Sequence, residues 1–280
     1  MPRITIGIPV FNEEKYIEDT LRSAISQMKG FSDAEIIISD NFSTDRTVPE
    51  IEGVLADVQG AEKFVRFLKN DQNRGGTANF WQTFDKSDSE FFLCLGGHDQ
   101  LSGPYVKLGM DCLMGSREIS MFCGAHVAVD PAGKTQKHPI VYDFTQNNPA
   151  ERYLRSIRDL SNCYIFQSIF RRSSMREFAR PDVPSMDHIA ISHWLWFGKL
   201  YQSNDCAYVR RYFPQEVRSS KTSSGGGGYV TPDNNALFYE AYLADLEQLT
   251  DSLPRRVSAG LTRQAYDVLV ARFGLPYFAG

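Results

Sequence analysis

Apolar and polar positions alternate between two periods over the first hundred residues. Ile4 to Val10 is a short β-rich run with Pro9 near its end. Ile17, Leu21, Ala24, Ile25 and Met28 then recur at helical spacing, which predicts a helix over Glu13–Gln27 with Gly30 as a stop. Glu35–Ser39 is a second strand, Thr47–Val58 a second helix with Asp45 placed to cap it, and Phe64–Lys69 a third strand. Thr77–Asp85 reads as a helix and Phe91–Leu95 as a fourth strand. Strands and helices in strict alternation predict a parallel, Rossmann-like sheet.

Beyond Asp99 the pattern changes. Pro104–Met114 is helical, and Glu118–Val129 with Thr135–Tyr142 predicts a hairpin turned by Asp130-Pro131-Ala132-Gly133. A helix follows at Ala150–Arg158, a strand at Ile165–Phe170, and a short helix at Ser173–Phe178. Asp187–Leu200 predicts an apolar-faced helix and Ala207–Tyr212 a last strand. Ser219–Gly228 contains four consecutive glycines and cannot form a packed element. Asn234–Leu249 and Leu261–Phe273 are two closing helices, free to pack on the main lobe or on a second copy in a homodimer. The expected organisation is a domain over 1–215, with a donor half (1–100) and an acceptor half (101–215). A flexible loop over 216–232 and a helical extension over 233–280 complete it.

Composition narrows this picture in three ways. The chain has 280 residues, 42% of them hydrophobic and 23% charged, which is globular. No apolar run nears the roughly 20 residues needed to span a bilayer. The start carries no basic-then-apolar leader, so the expected location is cytoplasmic. Five cysteines lack paired metal spacing and read as reduced, mostly buried thiols. The net charge of -4 is uneven, because residues 151–221 have a local balance of +5. That basic stretch suits an anionic partner, such as a lipid diphosphate at the inner membrane face. Its plain alternative is that Arg152, Arg155 and Arg158 form one solvated helix face. An acidic chain without a reading motif is not expected to bind nucleic acid.

Candidate chemistry gathers at three strand ends. The first strand runs into Pro9-Val10-Phe11-Asn12-Glu13-Glu14. The second runs into Ser39-Asp40-Asn41-Phe42-Ser43-Thr44-Asp45, and the fourth into Gly96-Gly97-His98-Asp99. Ligands bind at that edge of an open α/β sheet. Three polar, acidic loops there suit a cation holding a phosphorylated ligand.

With Asn73-Arg74-Gly75 and Asp187-His188-Ile189-Ala190 added, these segments resemble family 2 glycosyltransferases in order and spacing over about three quarters of the chain. The resemblance implies a GT-A fold. It further implies an inverting enzyme that moves a sugar from a nucleoside diphosphate sugar, a UDP-sugar foremost, to a hydroxyl of a glycan or lipid-linked glycan in surface polysaccharide assembly. Pro9, Phe11, Asn12, Glu13, Asp40, Arg74, Gly97 and His98 would then bind the donor nucleotide, with Asp40 accepting from the base. Asp99, with His98 as a second ligand, would hold Mn²⁺ or Mg²⁺. Asp187 would be the base that deprotonates the acceptor. Arg211, Arg218 and Lys221 would belong to a loop over the diphosphate or acceptor. The loop at 96–99 departs from the family's usual pair of acids. Plain structural readings remain beside these: turns at Asp40 and Arg74, a helix-end carboxylate at Glu13, a buried imidazole at His98 and an N-cap at Asp187. A nucleotidyltransferase, or a non-catalytic binder of sugar nucleotides or glycans, is the alternative function.

Overall fold

The computed structural model describes residues 3–137, 141–175, 177–213, 230–231 and 234–276. Strands β1 (Ile4–Val10), β2 (Ala34–Asp40), β3 (Val65–Lys69) and β4 (Phe91–Cys94) pair in parallel in the order β3-β2-β1-β4. Helices α1 (Ile17–Gln27), α2 (Thr47–Asp57) and α3 (Gly76–Asp85) connect them. β1 and β2 are buried almost throughout, which explains their near-continuous apolar sequence. At Gly7 a Cβ would sit 2.4 Å from the Phe92 ring and 2.7 Å from Thr83 Oγ1, so only glycine lets α3 pack this closely on β1. The first helix starts four residues later than its apolar period suggests, because Glu13–Tyr16 form a separate turn.

The second half of the sheet is mixed. β4 continues through β8 (Ile169–Arg171), β6 (Ile119–Val129) and β9 (Lys199–Arg211) to β5 (Gln100–Ser102). β7 (Thr135–Lys137) pairs with β6, while 138–140 of the expected hairpin lie outside the described residues. β6 and β9 are parallel, whereas β4/β8, β6/β8 and β5/β9 are antiparallel. α4 (Tyr105–Gly115), α5 (Pro149–Asp159) and α6 (Met186–Phe197) cover this half.

Further boundaries differ from the sequence reading. Tyr164–Gln167 is a 3-10 turn, and the strand expected from Ile165 is only Ile169–Arg171. α6 stops at Phe197 because Gly198 is fully extended, and β9 begins at Lys199, eight residues before the expected strand. A Cβ at Gly198 would meet Ser120 at 2.7 Å, which fixes glycine at that corner. β5 carries three residues and no periodic signal; pairing to β9 makes it a strand.

Two hydrophobic clusters divide along the sheet. One holds β1–β3 with α1, α2 and α4; the other holds α3, α5 and α6. Helices α7 (Asn235–Leu249) and α8 (Arg255–Phe273) join the second cluster through Phe238, Tyr242, Leu246, Ala265 and Leu269. α8 begins six residues before its apolar signal, after Pro254.

The basic surplus of the middle stretch is largely used inside the fold. Arg152 is buried and donates to the Leu195 and Trp196 carbonyls at the end of α6. Arg171 donates to Ile119 and Ser116, Arg172 to Ser89 and Phe84, and Arg180 pairs with Asp85 through two 2.8 Å bonds. The single solvated face of Arg152, Arg155 and Arg158 is therefore corrected: Arg152 caps a helix, and Arg155 and Arg158 pair with Asp143 and Asp159.

Candidate active site

The loops after β1, β2 and β3 are laced by side-chain amides and hydroxyls. Asn12 has φ 54° and its Oδ1 accepts from the Thr44 amide at 2.9 Å, while its own amide donates to Ser43 Oγ at 3.0 Å. Asn41 Oδ1 accepts from the Arg74 amide at 2.9 Å and its Nδ2 donates to Asn73 Oδ1 at 2.7 Å. Asn79 reaches up from α3 to the carbonyl of Ser39 at 2.9 Å. Asp45 accepts from Thr47 at 2.9 Å, capping α2 as its position suggests, and also holds the Glu14 amide at 3.2 Å. The result is a fixed rim around the end of β2.

Asp40 sits in that rim, 3% exposed. Its Oδ2 accepts from the Ser43 amide at 3.1 Å, and its Oδ1 has no hydrogen-bond partner among the described residues. A buried carboxylate oxygen left without a donor is costly. It is complementary to a ligand N–H. Phe11 and Pro9 are half-buried beside it on the β1 end. The Arg74 guanidinium points instead to Asp71 at 2.9 Å, half-exposed.

Asp99 closes the β4 end. Its Oδ2 accepts from Tyr208 Oη at 2.8 Å and its Oδ1 from the Arg211 amide at 2.9 Å. Tyr208 also accepts from the Gly96 amide at 3.1 Å. The two glycines explain why a second acid is missing. A Cβ at Gly96 would stand 2.6 Å from Asp99 Oδ2, and one at Gly97 would stand 2.8 Å from Val10 and 3.0 Å from Glu13. His98 donates from Nδ1 to buried Glu13 at 3.0 Å, while its Nε2 is 3.7 Å from Asp99 Oδ1. Phe213 packs edge-on to His98 at 4.6 Å, and the Arg211 guanidinium lies 4.4 Å over Tyr16. Among the described residues no group of three His, Cys, Asp or Glu side chains can hold a metal alone. Asp99 and His98 offer one oxygen and one nitrogen, a partial set that fits a divalent ion whose other ligands come from diphosphate and water.

Asp187 lies in the first turn of α6, which enters through Ser185 at φ 54°. Burial raises its carboxyl above the ordinary value; the Cys163 thiol, the His188 amide and Arg210 hold that rise back. Burial and Asp187 together push the Cys163 thiol well up, so it stays protonated and donates. Sequence reasoning passed over Tyr208, Arg210 and Cys163. Burial works against the Arg210 charge, but Asp99 first, then Tyr212, Tyr208 and Asp187, raise it above its ordinary value. Arg210 thus lies within electrostatic reach of both Asp99 and Asp187. Alternation along β9 was the available signal, since Tyr208 and Arg210 share a face. Arg218 and Lys221 lie outside the described residues.

The architecture and these loops agree with known proteins. Residues 5–179 match the model of glycosyl transferase family 2, and the chain belongs to that family. Asp187 falls beyond the matched stretch. A Campylobacter jejuni GalNAc(5)-diNAcBac-PP-undecaprenol beta-1,3-glucosyltransferase is 29% identical over 101 residues, 36% of this chain and 31% of that protein. The Salmonella typhimurium abequosyltransferase RfbV is 31% identical over 100 residues, 35% of this chain and 29% of that protein. The aligned region is about a third of the length of these curated relatives. S. aureus TarS 1-349, solved with UDP-GlcNAc, superposes with a TM-score of 0.66 at 16% identity, over 98% of this chain and 74% of that one. The mannosyltransferase PcManGT from Pyrobaculum calidifontis, solved with GDP-Man and Mn2+, gives 0.54 at 11% identity, over 98% and 77%. These two establish a shared GT-A-type fold.

Proposed function

We propose that this protein is an inverting glycosyltransferase that uses a UDP-sugar and a glycan or lipid-linked glycan hydroxyl. The observation that carries the reading is the convergence of three groups on one edge of the sheet. These are the Asp40 oxygen that has no partner among the described residues, the Asp99 loop, and Arg210, within electrostatic reach of Asp99 and of the raised carboxyl of Asp187. Asp40 Oδ1 accepts the imide N–H of the base, and Phe11 offers it an apolar face. Asn12 and Arg74 shape the pocket through their backbone and amide bonds rather than by direct contact. Glu13 orients His98. Asp99 and His98 would hold a divalent ion, which supplies positive charge to the diphosphate when bound. Arg210 stabilises the leaving diphosphate from the β9 side, where Arg211 braces Asp99.

Asp187 takes the acceptor proton as the hydroxyl oxygen bonds to the anomeric carbon and the bond to the diphosphate breaks. One displacement inverts the centre, with no covalent sugar–enzyme intermediate. The relative named for an undecaprenol-linked glycan favours a lipid-linked acceptor, and with it work at the cytoplasmic membrane face. No helix among the described residues is long and apolar enough to cross a membrane. The test is release of nucleoside diphosphate from UDP-sugars with and without a mixture of lipid-linked glycans, in Mn²⁺ or EDTA. Acceptor-stimulated UDP release supports the reading; no turnover with any donor and acceptor overturns it.

A further inference from the structure

Among the described residues the start of α6 has no side-chain cap, although it carries Asp187 and opens on a left-handed residue. Its first turns are held instead from the C-terminal helices. His188, the next residue, is 5% exposed, and its Nδ1 lies 2.8 Å from Tyr242 Oη of α7. The same hydroxyl donates to the His188 carbonyl at 3.2 Å, and Ser192 Oγ donates to that carbonyl at 3.1 Å. One turn on, His193 Nδ1 donates to Asp245 Oδ1 at 2.7 Å, and Tyr153 donates to Asp245 Oδ2 at 2.9 Å. On the other side of Asp187, the Arg272 guanidinium of α8 grips the carbonyls of Ile157 and Leu160. From there the chain runs three residues to Cys163, the thiol beside Asp187. Phe238 and Phe273 close over the His188 ring edge-on, at 5.9 and 6.0 Å.

We infer that the C-terminal helices are part of the catalytic apparatus: Tyr242 and Arg272 are positioning residues that fix Asp187 from both sides. The inference rests on the reading of Asp187 as the base. The Tyr242 hydroxyl on His188 and the Arg272 guanidinium on the α5 end touch none of the residues read as holding the donor, at the ends of β1, β2 and β4. Their loss therefore falls on the chemical step. A base must stay within hydrogen-bond reach of the proton it removes, and small displacements of a catalytic group are expensive.

Tyr242→Phe removes one hydroxyl and keeps the ring packed. Its kcat is expected to fall about tenfold, with the Kd for UDP unchanged within about twofold. Placed on Asp187→Asn, it is expected to cost nothing further, because the group it positions is gone. Arg272→Lys keeps the charge but replaces the two-nitrogen fork by a single nitrogen, and serves as the second variant with the same expected split. Normal kcat in both folded variants, whatever their thermal midpoints, overturns the inference alone. So does an undiminished tenfold loss on the Asp187→Asn background. Wild-type turnover by Asp187→Asn itself removes the base assignment, and the positioning role with it.

Discussion

Asp40 and Asp187 are both acids at the C-terminal edge of the sheet, but they are held by opposite means. Asp40 ends a parallel strand in a rim of amide and hydroxyl bonds between adjacent loops, and one of its oxygens has no hydrogen-bond partner among the described residues. Asp187 lies in the first turn of a helix that has no side-chain cap among the described residues, and what surrounds it comes from separate elements: Cys163 before the 3-10 turn, Arg210 of β9 and, behind His188, Tyr242 of α7. Bonds between neighbouring strand-end loops fix a rim within one half of the sheet. Long-range packing makes a carboxyl whose proton affinity depends on several separate elements. The first arrangement suits binding and the second suits proton transfer.

The comparison breaks most sharply at Asp187. Asp187→Asn is expected to lower turnover by about 10³-fold while UDP affinity stays within a few fold. Steady-state rates and calorimetry read the two separately, and near-normal turnover removes Asp187 as the base. Arg210 joins the two regions, so its loss reaches both. Arg210→Met is expected to lower kcat by about 10–100-fold, as removal of a charge-stabilising group does. Because Arg210 restrains the Asp187 carboxyl, the acidic limb of the pH–rate profile moves to higher pH in this variant. An unmoved limb separates Arg210 from Asp187.

Gly96→Ala tests the donor side by steric means. The new Cβ must displace the Asp99 carboxylate from Tyr208, at about 1–3 kcal/mol in a urea midpoint series. Gly53 in α2 has open space around it, and Gly53→Ala is expected to stabilise by about 0.5–1 kcal/mol. Equal effects at the two positions contradict the packing account. The last effect is a pH dependence of stability. His188 ordinarily titrates near 6.5, and burial lowers it to about 3. The unfolded chain binds the extra proton between those values. Stability is therefore full above pH 6.5 and falls on acidification, by about 2 kcal/mol at pH 5. His188→Gln flattens that fall; an unchanged slope assigns it to other groups.

The donor half was legible because each of its elements carries its own signal. β1, β2 and β4 are apolar runs, α1 and α2 have helical period, and Asp45 caps where its spacing says. The other half was not, because pairing decides it. Gln100–Ser102 becomes a strand only against β9, and Lys199–Asp205 is polar enough to read as a loop until β6 supplies its hydrogen bonds. The same holds within the site. Asp40, Asp99 and His98 stand where strand ends place them. Tyr208 and Arg210 join Asp99 across more than a hundred positions in sequence, and Cys163 meets Asp187 from a different element, which no local pattern records. The glycines at 96 and 97 were visible, but their reason, the lack of room for any side chain, needs Asp99, Val10 and Glu13 in place.

Asp40, we propose, reads the base of the donor with the oxygen that has no partner among the described residues. Calorimetry of UDP and CDP, each with Mn²⁺, against the wild type and Asp40→Asn tests it directly. Uracil offers an imide N–H at the ring position where cytosine offers only an acceptor. The account predicts that UDP binds at least about tenfold more tightly than CDP, and that Asp40→Asn removes the preference by weakening UDP. Equal affinities in the wild type, or a UDP preference that survives Asp40→Asn, would contradict it.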